Sequence, residues 1–312
     1  MIVRDRPHGA QLFFVLRGSV LPHIAWELAT CTIIAMLVTL THGFIYQWKV
    51  TLTTVPFSLM GLALAIFLGF RNNAAYDRYW EARKLWAEVV FRSRSFARQV
   101  QTLLHFDQPA GPADRDDPRH GLVMRTIAFA SALRHQLRGS DPLPDMRRLL
   151  PAAEVAGFAA SRSGIDYLLR RNGEALGDQL RAGRLDAPVA ADVDQSLTAL
   201  AAAAAGCERI QNTPLPFPYT LLLHRTASLY CFLLPFGLVD TVGLMTPFVV
   251  AIIAYTFFGL DALGDEIEEP FGLAANHLPL DAMCLEIEIH LREALGETDL
   301  PPQPVPVDSR LT

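Results

Sequence analysis

Residues 53 to 70 read TTVPFSLMGLALAIFLGF, and the chain runs straight on into RNNAAYDRYWEARKLW at 71 to 86. Between Lys49 and Arg71 lie 21 residues, 50 to 70, without Asp, Glu, Lys or Arg. At about 1.5 Å per residue such a run crosses a hydrocarbon core of about 30 Å as a helix. Past Arg71 a helical period persists, with Tyr76, Tyr79, Trp80, Ala87, Val90 and Phe91 near one side and no Gly or Pro intervening. One long helix is therefore expected, leaving the apolar layer near Arg71 and ending in a folded body rather than a loose loop.

Three further stretches share the pattern. Residues 28 to 48 form another charge-free run of 21, a third lies between Asp240 and Asp261, and a fourth from Tyr219 to Val239 is interrupted near one end by His224 and Arg225. An Arg so placed can reach the interface. A single apolar run is also compatible with a buried core helix; four runs in two pairs favour an integral membrane protein. Composition agrees, with 51% hydrophobic residues, 19% charged and a mean hydropathy of +0.24, where a soluble globule carries about 25% charge. Arg4, Arg6 and Arg17 precede the first run, and Arg71, Arg78, Arg83, Lys84, Arg92, Arg94 and Arg98 follow the second, with only Lys49 between the two. The positive-inside rule then puts both termini and the middle of the chain in the cytoplasm. No cleavable signal peptide is evident.

The expected organisation is a short N-terminal amphipathic helix over 1–20, with Leu12, Phe13, Leu16 and Val20 on one face, then two membrane helices and the extension of the second over 21–105. A helical region fills 106–212, opening on a Pro- and Asp-rich turn at 106–120; the third and fourth membrane helices fill 213–265; further helices fill 266–298; and a proline-rich tail, 299–312, is expected to be disordered. The run Ala199 to Ala205 favours a helix packed closely on others. No strand signal of substance is present. Cys31, Cys207, Cys231 and Cys284 form no CxxC pair, so packing thiols are expected and no metal site.

Within the second run, steps of four give Thr54, Ser58, Leu62, Ile66 and Phe70 on one slowly turning face. If several copies surround an axis, Leu62, Ile66 and Phe70 stack as apolar rings below hydroxyls from Thr54 and Ser58, a constriction that can control conduction by dewetting. The competing reading has the face against lipid or another helix. Gly61, Ala63, Ala65 and Gly69 allow close packing around an axis. The sequence holds no GxSxG, HExxH, phosphate-binding GxxxxGK or Rossmann glycine pattern, and its nine histidines are dispersed, so an enzyme is not expected.

The segment IFLGFRNNAAYDRYWEARKLW at 66–86 resembles the signature of bacterial bestrophin homologues. NTPLPFPYTLLLHR at 212–225 and EEPFG at 268–272 are similar to further family segments, and the likeness runs over roughly residues 10 to 295. The resemblance implies an all-α homopentamer around one central pore, with four membrane helices and a helical cytosolic domain in each subunit. It places the hydrophobic neck on Leu62, Ile66 and Phe70, and a second, cytosolic restriction on Leu180 in GDQLRAG. Animal members carry an acidic run after Pro-Phe-Gly that helps to clasp calcium; here Leu273, Ala274, Ala275, Asn276 and His277 stand there, which removes the carboxylates calcium needs. Asp265, Glu266, Glu268 and Glu269 lie upstream, either drawing a cation or forming a solvated helix end.

The function expected is passage of small monovalent inorganic ions, with a lean to cations such as sodium because some bacterial members resemble cation channels. Chloride conduction is the alternative, since animal and plant members pass anions and the edge of the Phe70 ring is weakly positive. Membrane lipid and the inner (plasma) membrane are the expected surroundings. Neither a cofactor nor a nucleic-acid partner is expected, whereas a membrane scaffold docking a soluble cytosolic protein through the amphipathic helix from Leu280 is a further possibility.

Overall fold

The computed structural model describes residues 1–3, 9, 15, 18–45, 48–49, 52–106 and 116–312. Among these the helices are α1 (Leu21–Leu40), α2 (Thr54–Leu103), α3 (Pro118–Arg138), α4 (Leu143–Leu149), α5 (Ala152–Ala160), α6 (Gly164–Arg181), α7 (Ala187–Asn212), α8 (Phe217–Val242), α9 (Thr246–Glu268) and α10 (Leu280–Ala294). The N-terminal amphipathic segment, Leu12, Phe13 and Leu16 included, lies outside the described residues. A minimal hairpin of β1 (Phe44–Ile45) and β2 (Trp48–Lys49) joins α1 to α2, pairing Phe44 with Lys49 and Ile45 with Trp48. Two-residue strands carry no periodicity, so no sequence pattern announces them.

The chain divides into two compact units. The apolar unit comprises residues 5–79 and 214–269. Three of its helical stretches are long and apolar enough to cross a membrane: Leu21–Leu40, the start of Thr54–Leu103, and Phe217–Glu268, the last being α8 and α9 joined by a single 3-10 turn at Gly243–Met245. Gly243 takes φ +59, a left-handed conformation that favours glycine at such a turn. The core includes Ile24, Cys31, Ala35, Leu64, Leu68, Tyr230, Val250 and Phe257. Tyr230 meets Phe257 edge-on at 5.3 Å and packs over Gly61, where a Cβ would lie 2.7 Å from its hydroxyl. Small residues thus let α2 and α8 approach closely, as in membrane helix pairs generally. Outside this core the helices present apolar side chains, including Trp26, Leu40, Leu229 and Phe248.

The polar unit comprises residues 1–4, 80–213 and 270–312. Trp86, Val89, Phe96 and Val100 of α2 are fully buried in it. The Asp117 carboxylate accepts from the Arg119 N–H at 2.8 Å, Pro118 opens α3, and Gly139 closes it in the left-handed conformation, so both ends carry their expected caps. Pro151 separates α4 from α5. Asn172 of α6 donates to the Leu122 carbonyl and the Thr126 hydroxyl of α3, both at 3.3 Å. The alanine run packs as anticipated: Ala203 and Ala204 are buried, and Gly206 sits against Leu85. The tail departs from expectation. Val3 N–H donates to the Ser309 carbonyl, Leu311 N–H to Met1, and Ala282 N–H to Thr312, so backbone pairing with the N-terminus and with α10 holds the end of a segment that was expected to be disordered.

A candidate pore-lining helix and its buried anchor

The apolar half of α2 packs on one side only. Leu64, Leu68, Arg71 and Ala75 are buried, following the i, i+3, i+4 rhythm of a helix face. At about 100° per residue, Leu62 and Ile66 each lie about 160° from Leu64, nearly opposite that face, with Phe70 about 120° away. Their exposures are 62%, 47% and 62%. Val55 and Leu59 extend the same bare surface upward. Ser58 is exposed and Thr54 half-buried, and the Ser58 hydroxyl donates to the Thr54 carbonyl at 3.2 Å, so one of the two hydroxyls is spent on its own helix. The fold therefore sets Leu62, Ile66 and Phe70 in one unpacked strip. Leu180 sits partly exposed on α6, in the polar unit, beside the buried Gln179.

At the end of the apolar run a cluster appears that the sequence reading missed. Arg71, 1% exposed, donates to the Asp261 carboxylate at 2.5 Å and also to Asp265. His224 Nδ1 lies 2.7 Å from the other Asp261 oxygen, and Asn72 donates to the Leu260 carbonyl at 3.0 Å. Two turns on, Arg78 donates to the Glu268 carbonyl at 2.8 Å, while the Glu268 side chain accepts from the Leu215 N–H at 3.0 Å. The charges that bound the runs 50–70 and 241–260 thus pair with each other, tying α2 to α9 and α8. Arg71 reads in sequence as a flanking cytoplasmic charge and Asp261 as a mere run end. Opposite charges closing two apolar runs were the available signal. Because two carboxylates hold Arg71, its charge is compensated and offers no bare positive site.

The acidic stretch at the end of α9 spends Asp265 and Glu268 in this way. Among the described residues no group of three or more His, Cys, Asp or Glu is arranged to hold a metal ion. Downstream of Pro-Phe-Gly, buried His277 Nδ1 accepts from the Ala274 N–H at 3.2 Å, closing that turn with a ring nitrogen. All four cysteines are free and buried, and burial pushes the Cys207 and Cys284 thiols up to about 12.

Long apolar helices with a bare outer surface, and charges buried only where they pair, define an all-α membrane protein. The family model of the bacterial/fungal bestrophin proteins matches residues 1–293, and the chain belongs to that family. A voltage-dependent anion channel-forming protein of Mesorhizobium japonicum is 47% identical over 311 residues, 99% of this chain and 96% of the relative. Another of the same designation from Escherichia coli strain K12 is 41% identical over 306 residues, 98% of each chain. The solved structure of a bacterial bestrophin homologue from Klebsiella pneumoniae, obtained by zinc phasing, superposes with a TM-score of 0.82 at 42% identity, covering 89% of this chain and all of that one. Membership of this family, and not of an enzyme family, accords with the missing catalytic motifs.

The relatives' designation overturns one expectation. A lean to monovalent cations such as sodium does not stand beside near-full-length relatives designated as anion channel-forming. The lean had no physical footing in the neck, since uncharged rings cannot choose an ion by the sign of its charge, and pore-facing charges are not readable from one strand of sequence.

Proposed function

We propose that this chain forms a channel conducting small anions such as chloride across the plasma membrane. In this reading five copies surround one axis, each crossing the membrane four times with both termini in the cytoplasm. The α2 helices line the pore, with Leu62, Ile66 and Phe70 as the neck, Thr54 and Ser58 as its polar entrance, and Leu180 as a second restriction. The observation that carries the reading is the bare strip opposite Leu64 and Leu68 on a chain 47% identical to an anion channel-forming protein. A monomer that buries only one stripe of so apolar a helix leaves the opposite stripe for lipid, a neighbouring copy or a pore. Of the neck residues only Phe70 presents an aromatic edge, whose positive rim is the one feature there that favours an anion.

Reversal potentials in planar bilayers under a potassium chloride gradient test this directly. The expected reversal lies near the chloride equilibrium potential; a reversal near that of potassium overturns the proposal. Replacing Leu62, Ile66 and Phe70 together with Ala is expected to raise single-channel conductance by widening the dewetted section. Unchanged conductance in that triple variant removes α2 from the neck.

A further inference from the structure

Apolar rings at Leu62, Ile66, Phe70 and Leu180 leave the sign of the permeant ion to charges fixed nearby. A charge of that kind stands in the turn that ends α6. Gly183 adopts φ +70, its N–H donates to the Leu180 carbonyl at 3.1 Å, and the Arg184 N–H donates to the Gln179 carbonyl at 3.0 Å. These two bonds make a Schellman motif, which folds the chain back over the last helical turn. The backbone of Arg184 is thereby held beside that of Leu180, so its charge acts there from about one Debye length, about 8 Å.

The turn is docked on the end of α2. The His105 N–H donates to the Arg184 carbonyl at 2.8 Å, and the Arg184 guanidinium lies over the Phe106 ring at 5.2 Å. Arg119 lies over the same ring at 4.3 Å. The two guanidiniums differ in what balances them. Arg119 is buried and donates to both oxygens of Asp117 at 2.6 to 3.1 Å, which compensates its charge. Arg184 is half-buried and makes no ion pair among the described residues. Contact with an aromatic face uses its charge but none of its N–H donors, which stay available to a passing anion.

Nearby charges do not cancel it. Arg181 and Asp178 neutralise each other at 2.6 Å, and Asp186 lies 3.8 Å from His105 with its side chain 73% exposed. Salt screens so exposed a carboxylate more than a half-buried guanidinium. We infer that Arg184 is a specificity-determining residue, drawing anions to the restriction at Leu180 and repelling cations from it. The inference rests on the channel reading and on Leu180 as its second restriction. Copies arranged about one axis repeat the guanidinium as a ring, the arrangement by which cationic side chains select anions in pores.

Reversal potentials of the full chain in planar bilayers, under a potassium chloride gradient at low ionic strength, test the assignment. A unit charge about 8 Å from an ion changes anion entry about twofold, and cation entry about twofold in the opposite sense, even at the dielectric constant of water. Arg184→Gln is therefore expected to lower the chloride-to-potassium permeability ratio about fourfold or more, and Arg184→Glu about sixteenfold or more. Arg184→Lys keeps the charge, and Phe106→Leu removes the ring but leaves the charge, so both are expected to stay within about twofold of the parent. A parent that reverses near the potassium potential overturns the anion-channel reading and this inference with it. A parent that reverses near the chloride potential, with an unchanged ratio in Arg184→Glu, overturns the inference alone. So does a Phe106→Leu chain that loses as much selectivity as Arg184→Gln, since Arg184 would then act only by holding the turn.

Discussion

The two halves of α2 belong to one unbroken helix and obey opposite rules. From Trp80 to Leu103 it is amphipathic, with Trp86, Val89, Phe96 and Val100 fully buried and Arg83, Lys84 and Arg98 outside. From Thr54 to Phe70 it is apolar all round, yet only 22% of its membrane-length window is buried. In water the second arrangement would expose a large apolar patch, which monomeric soluble domains avoid. The difference teaches that burial inside the subunit drives one half, whereas the other is stable because its surroundings are themselves apolar. Arg71 ends the charge-free run, and the pairs it makes are what permit a buried guanidinium there.

The hardest blow to this comparison falls on the boundary. Arg71→Ala leaves the buried Asp261 without its cation and deprives the more exposed Asp265 of its partner, and breaking a buried pair such as Arg71–Asp261 costs about 3–5 kcal/mol. Thermal unfolding in detergent, followed by size-exclusion fluorescence, is expected to show a large drop. Arg71→Lys is expected to recover only part of it, because one ammonium cannot reproduce a fork reaching two carboxylates. An Arg71→Ala chain that melts with the parent would mean that the boundary is set by apolar packing alone.

A smaller effect separates the units by acid. Burial pushes the Asp117 carboxyl upward, but its hydrogen bonds from Arg119 prevail and hold it below the ordinary value of 3.8. Asp145 behaves alike, burial being outweighed by Ser131, His135 and Arg134. Carboxylates depressed in the folded state contribute stability that is complete above their ordinary range and is lost as pH falls through the lower folded values. The polar unit is therefore expected to loosen below about pH 4, as read by hydrogen exchange of α3 and α4. The Asp117→Asn, Asp145→Asn double variant is expected to lose less stability over that acid interval than the parent does. An equal acid loss in both chains would move the sensitivity elsewhere.

The same contrast explains what the sequence could and could not reveal. Length and flanking charge suffice for the apolar helices, and period suffices for the continuation of α2, because each is a property of one segment. The caps of α3 were legible in part, since the proline-rich turn before Pro118 and the glycine at Gly139 are local signals. The Arg71 cluster was not, as it joins residues 190 and 194 positions apart. Nor was ion preference, which depends on charges facing an axis that no single chain defines. The strip at Leu62, Ile66 and Phe70 stood between these cases. Its spacing was visible, but that it lies opposite the packed face required knowing which residues the core takes.

The finest distinction within α2 is between neighbours on opposite faces. Leu68 is fully buried, whereas Leu62 is 62% exposed. Leu68→Ala is expected to cost about 2–5 kcal/mol, the usual penalty for a cavity left behind in a core. Leu62→Ala removes no packing within the subunit, so its effect on unfolding is expected to stay within about 0.5 kcal/mol while its effect on conductance is plain. Urea is a poor probe of apolar helices in detergent, so the comparison is best made by thermal inactivation of both variants under identical detergent. If Leu62→Ala proves as costly as Leu68→Ala, the strip is packed tightly against another surface in the assembled protein, and a side chain so engaged cannot also line an open pore. If Leu62→Ala is silent in stability and raises current, the bare strip is bare because ions pass it.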